Sequence, residues 1–307
     1  MIAESDERKQ MNENIGKPKD EEEEDIDVQD KEMMEEENKF EDELQISIAE
    51  VIGALFKTHV PFMAGMKEKL LGETLVPCLK EGAPLNKTKF ALFLLDDIVE
   101  FVPPSLLGDQ FAQIGAELLR YAQNTNPILR QAAVYGVGVM AAKGGPLFPP
   151  LAEASLLALK SAIDMQMGSQ KKKSFNHAHD NAVAAVGKIL RHQIEAVSGA
   201  EVFAFWLQHM PLLHDKGESK QANELLLHFF VTSPAAIVGE NYEHFQAFVR
   251  MLGKVLNKKF MEDAVYEKFV SILKEARASE NLRAAVDAAY NELDKKHQTN
   301  LENALNE

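Results

Sequence analysis

The chain holds 307 residues, 46% of them apolar, and its 17 glycines and 12 prolines are too few for a loop-rich or collagen-like protein. A single cysteine, Cys78, excludes an internal disulfide framework and suggests a reducing compartment. The net charge of −15 sits almost wholly at one end: residues 1–43 carry 19 acidic and 6 basic side chains, residues 44–307 carry 29 and 27. Such a chain should repel nucleic acid and anionic membranes and attract basic proteins.

The first residues, Met1-Ile2-Ala3-Glu4-Ser5-Asp6, place acid where a secretory signal needs base and an apolar run. The longest apolar run, Ala132 to Ala142, covers 11 residues against about 20 for a membrane span. These features predict a soluble intracellular protein. Residues 1–43 read as an acidic, largely disordered segment, because Glu21-Glu22-Glu23-Glu24-Asp25 and Glu35-Glu36-Glu37 repel themselves and few apolar groups offset the entropy of ordering. A helix over roughly Glu4 to Glu13 is allowed there, without a strong apolar face.

Residues 44–307 read as helical repeats. Ile48, Ile52, Leu55 and Phe56 share one helix face, as do Phe90, Leu94, Ile98 and Phe101. Phe245, Phe248, Leu252 and Val255 repeat the stripe, followed by Val265, Phe269, Ile272 and Leu273. Strict alternation is absent, so no strand is expected. Breaks fall at Pro103-Pro104, Asn126-Pro127, Gly144-Gly145-Pro146, Pro149-Pro150 and Ser233-Pro234, with Asn126 and Ser233 placed to cap the helices that follow.

The helices recur. Phe90 to Asp97 overlays Ala132 to Val139 at an offset of 42, and that segment overlays Asn181 to Lys188 at an offset of 49. The extra length falls in a polar insertion, Gly168 to Ser174. Such periods are the size of HEAT or armadillo units, in which a helix pair buries its apolar face only by stacking on its neighbours. The second helix of each pair is small and apolar, as an inner helix packed on both sides should be. Close helix approach would compensate the roughly 1 kcal/mol that each of Gly136 and Gly138 costs in a helix. The predicted fold is all-α, a HEAT-repeat superhelical solenoid (α-α superhelix) of about six helix pairs.

Candidate chemistry is thin. Gly136-Val137-Gly138-Val139-Met140-Ala141 spells a dinucleotide fingerprint but lies inside a predicted helix instead of after a strand. His177-Ala178-His179-Asp180 lacks the convergent geometry of a zinc site, and His209 and His214 flank Pro211 in a turn. Lys171-Lys172-Lys173 reads as a solvated loop before a nuclear localisation patch, Cys78 as a structural thiol, and Trp206 as core before a binding anchor. No phosphate loop, catalytic set, metal site or cofactor is expected, and the chain reads as a non-enzyme.

The most specific segments carry a resemblance. Asn126-Pro127-Ile128-Leu129-Arg130-Gln131-Ala132-Ala133-Val134-Tyr135-Gly136-Val137-Gly138-Val139-Met140 resembles, almost letter for letter, a run found in the importin-beta family of nuclear transport receptors (karyopherin-beta proteins). Leu94 to Phe101 is similar to an inner helix of a late repeat, and Asn181 to Ile189 to the repeat that follows the Asn126 to Met140 run. The resemblance covers nearly the whole chain, most strongly residues 85–220, and maps to about the C-terminal third of the family's length. It implies a nuclear import receptor region in cytoplasm and nucleus, with basic cargo proteins and nuclear pore proteins as partners. Ran-GTP is a partner of the full-length family, but not through this chain alone, since the family's principal Ran-binding repeats have no counterpart here. The resemblance then implies a fragment, a truncated gene model or a reduced paralogue. Asp96, Asp97 and Glu100 are the candidate cargo contacts. The alternative is a general HEAT-repeat scaffold that assembles other complexes.

Overall fold

A computed structural model describes residues 2–15, 28–166 and 173–307. The chain divides into two compact units, the first ending at Leu107 and the second running Gly108–Glu307. The fold is all-α, built from helix pairs of the HEAT-repeat type, and no strand occurs among the described residues.

The first unit opens with α1 (Ile2–Ile15) and the long α2 (Val28–Thr58). Next come α3 (Val60–Lys69), a π-helical turn Leu70–Leu75 and α4 (Val76–Cys78), with no loop between them. The unit ends with α5 (Leu85–Phe101) and the short α6 (Pro104–Leu107). Position 44, where the sequence places the change from acidic segment to repeats, is not an element boundary: α2 runs through it. The reason is visible in its buried face. Glu41, Gln45, Ala49 and Phe56 are buried at helical spacing, and the first two are polar, so a count of apolar side chains misses the turn they belong to. Glu41 accepts two hydrogen bonds from Arg8 of α1, at 2.5 and 2.9 Å. Gln45 donates to Ser5 at 3.0 Å. Among the described side chains, charge and amide pairing joins α1 to α2.

In the second unit α7 (Asp109–Ala122) pairs with α8 (Pro127–Lys143), and α9 (Ala152–Gln166) with α10 (Lys173–His192). Then follow α11 (Gly199–His209), α12 (Lys216–Thr232), α13 (Pro234–Val238) and α14 (Phe245–Val255). The unit closes with α15 (Asp263–Ala278), α16 (Arg283–Glu292) and α17 (Lys295–Asn306). α10 packs on α8 to one side and α12 to the other, and α12 packs on α15. The inner helices are therefore enclosed on both sides, and every residue from Ala182 to Leu190 is buried. The stripe Phe245, Phe248, Leu252 and Val255 is buried throughout, each such side chain contributing about 1.5–3 kcal/mol.

Gly138 and Gly187, equivalent in the repeat, mark close approaches of α10 to α8 and to Trp206 of α11. A Cβ on Gly138 would stand 3.1 Å from both Cα and Cβ of Ala185. A Cβ on Gly187 would stand 2.9 Å from Trp206 Nε1. The cap expected at Asn126 is present, its side chain accepting from the Ile128 N–H at 3.0 Å. The cap expected at Ser233 is not: its side chain makes no capping bond. Ser233 ends α12 and opens α13 at once, its N–H donating to Phe229 O and its carbonyl accepting from Ala236 N, so the main chain bridges the two helices unaided.

Candidate protein-interaction surface

The inner helices of the second unit are joined by polar side chains set among apolar ones. Buried Asp180 on α10 accepts the N–H groups of His214 and Asp215, at 2.6 and 2.8 Å. Asn181 beside it donates to Asp215 Oδ2 at 2.8 Å, while Asp215 Oδ1 caps α12 by accepting from Gly217 and Glu218 N–H. Two turns further along α10, Lys188 Nζ lies 3.0 Å from Glu218 Oε2 and 5.0 Å from the centroid of the Tyr135 ring on α8. Burial pushes the Glu218 carboxyl above its ordinary value, and Lys188 opposes that shift. These links set the register of α8, α10 and α12, and they give Asp180 a positional role.

The histidines flagged in the sequence do gather here. His177 Nδ1 is 3.7 Å from Asp215 Oδ2, and the rings of His179 and His209 are 5.8 Å apart at their centroids. Among the described residues no group of three or more metal-capable side chains converges. The dinucleotide-like glycines lie within α8, whose interior offers no loop to cradle a phosphate. Trp206 is fully buried and belongs to the core. Cys78 is buried, and that burial raises its thiol pKa, as suits a structural thiol. Lys171 and Lys172 lie outside the described residues, and Lys173 opens α10.

In the first unit, the three candidate cargo carboxylates lie within little more than one turn of α5 and differ in exposure. Asp96 is only 6% exposed, whereas Asp97 and Glu100 are half-buried. Burial, and then the neighbouring Glu100, push the Asp97 carboxyl up to about 6. Asp97 sits against Gly53 of α2, where any Cβ would collide with its carboxylate. The helix pair is close because that position has no side chain.

A cleft of about 840 Å³ opens between α11, α13 and α14. Phe203, Leu207, Ile237 and Phe248 line it with apolar surface, Ala236 and Ala247 leave it room, and Glu243 and Lys254 bring both signs of charge. Its constituents are spread over 55 residues of sequence, from Ala200 to Lys254, and only Phe248 belongs to a stripe legible beforehand. Such a surface suits the apolar side chain of a protein partner, with polar groups at hand to orient it.

No family model matches the chain. It is similar to the protein named "Probable importin-5 homolog" of Dictyostelium discoideum, 26% identical over 191 residues. The match takes in 58% of this chain and 17% of that protein's length. The similarity is distant and points to the importin-beta family.

Proposed function

We propose that the chain is a karyopherin-beta-like transport receptor region of the importin-5 type, which binds cargo proteins for passage through the nuclear pore and has no enzymatic activity. The observation that carries this reading is the likeness over 191 residues to an importin-5 homologue in a chain built from HEAT-type helix pairs. A stack of such pairs binds reversibly through several modest contacts along its surface. Of the three carboxylates on α5, a basic cargo side chain reaches Asp97 and Glu100 before it reaches buried Asp96. The cleft between α11, α13 and α14 is the contact we assign to nuclear pore proteins, through an apolar side chain seated among Phe203, Leu207 and Phe248. Ran-GTP is not a partner of this chain alone. The acidic segment, residues 1–43, speeds the encounter with basic cargo over a range of about 8 Å at physiological salt.

The test is a permeabilised-cell assay with the fluorescently labelled full chain. Staining of the nuclear rim, reduced by Phe203→Ser with Leu207→Ser, supports the reading. Diffuse staining equal to that of an inert protein of the same size would overturn it and favour a general scaffold. Calorimetry with Ran-GTP should show no tight nucleotide-dependent binding.

A further inference from the structure

The apolar side chains of α2 divide between two faces. Ala49 and Phe56 are buried within the first unit. Met33, Phe40 and Val51 are 55%, 66% and 62% exposed, and Leu55 is exposed as well. At about 100° per residue, Phe40 and Val51 fall within about 20° of Met33 around the helix, and Leu55 within about 40°. Half-buried Leu44 and Ile48 lie in the same strip. The strip runs about 33 Å at the helical rise of 1.5 Å per residue. Along one edge stand Glu36, Glu43 and Glu50, seven residues apart and all exposed, with Lys57 at the next place in that row.

An apolar seam with charges at heptad spacing beside it is the pattern by which one helix receives another: the seam excludes water and the flanking charges select the partner. A second copy of this chain fits poorly, since docking would bring together two segments that each carry 19 acidic against 6 basic side chains over residues 1–43. We propose that this face of α2 docks an amphipathic helix of about three heptads from a partner protein. Its apolar stripe covers Phe40, Leu44, Val51 and Leu55, and its flanking lysines or arginines meet Glu36, Glu43 and Glu50. The proposal does not rest on the transport reading, and its test involves neither the cleft nor the nuclear pore.

The test uses the full chain and two fluorescent synthetic helices of about 21 residues with the same leucine seam, one flanked by lysine and one by glutamate. The lysine peptide should bind saturably and at least about tenfold more tightly than the glutamate peptide. Phe40→Ser with Val51→Ser should weaken it by about tenfold or more while leaving the circular dichroism and the melting curve unchanged, because both side chains are exposed. The triple change Glu36→Lys, Glu43→Lys and Glu50→Lys should reverse the preference between the peptides. Equal binding of the two peptides, or lysine-peptide binding that ignores the seam substitutions, would overturn the proposal. So would sedimentation as a dimer that those substitutions dissociate, since the occupant would then be a second copy.

Discussion

Replacing Gly187 by alanine sets two effects against each other, and the structure decides the sign. In a helix interior alanine is favoured over glycine by about 1 kcal/mol. Here the added Cβ would lie 2.9 Å from Nε1, 3.1 Å from Cε2 and 3.2 Å from Cζ2 of Trp206. Comfortable contact needs about 3.5–4.0 Å, so α10 and the indole must part by roughly 0.5–1 Å. The indole has nowhere to go: it is fully buried, with its ring against the edge of Phe229 at 5.7 Å between centroids. Overpacking of this kind costs about 1–3 kcal/mol, enough to exceed the propensity gain. Gly187→Ala is therefore expected to destabilise the second unit by up to about 2 kcal/mol, or up to about 4–8 °C in melting temperature. Trp206 is the chain's one tryptophan, so its fluorescence during urea unfolding reports this junction directly. Gly65→Ala is the control. Gly65 is exposed on α3 with nothing within 4 Å of an added Cβ, and alanine there should stabilise by up to about 1 kcal/mol. If Gly187→Ala is at least as stable as the parent and its tryptophan emission does not shift, the close approach does not set the helix spacing.

The pH dependence of Asp97 gives a second test. A carboxyl at about 6 in the folded chain holds its proton more tightly than in the unfolded chain, so its contribution favours folding near pH 4 and is lost as pH rises through about 6. Asp97→Asn should stabilise by about 1 kcal/mol at pH 8, after allowance for the partial exposure of the carboxylate, and be neutral near pH 4; equal effects at both pH values in urea titrations would contradict this. Lys188→Ala strands the buried Glu218 carboxylate and should cost about 3–5 kcal/mol, most of it recovered in Lys188→Met with Glu218→Leu, as denaturation would show. Asn126→Ala should cost about 1 kcal/mol through its lost cap, whereas Ser233→Ala should leave the melting temperature within error of the parent.

The helices that carry periodic apolar stripes were legible because burial in this fold is mostly apolar. Phe90, Leu94, Phe245 and Phe269 announce their elements by spacing alone, and all are buried. Elements whose inner face is polar gave no such signal, which is why α2 extends beyond its expected start through Glu41 and Gln45. The carboxylates on α5 were legible as a cluster but not as a gradient of burial, because that gradient depends on where Gly53 of α2 lies. The role of Asp180 was hidden for a similar reason. Its partners, His214 and Asp215, are more than thirty residues away, and the bonds use their main-chain N–H groups, which every residue type shares. Buried Arg130 gave no sign of its role in the sequence; its guanidinium donates to the carbonyls of Asn124 and Thr125 and pins the loop before α8. Apart from Phe248 the cleft left no local signal, since three helices contribute to it.

The way α1 is held has a consequence for handling the protein. Ser5, Asp6, Arg8 and Lys9 attach it to Gln45, Lys87, Glu41 and Asp42. The Arg8 guanidinium holds the Glu41 carboxyl down to about 2, so this pairing persists through any ordinary buffer acidity and is lost only as pH falls toward that value. Salt acts differently, because it screens partly exposed pairs at every pH while leaving the apolar contacts of α5 in place. Column washes at high ionic strength would then loosen the N-terminal helix without unfolding the chain behind it, and a protease present in the preparation would trim the protein there first.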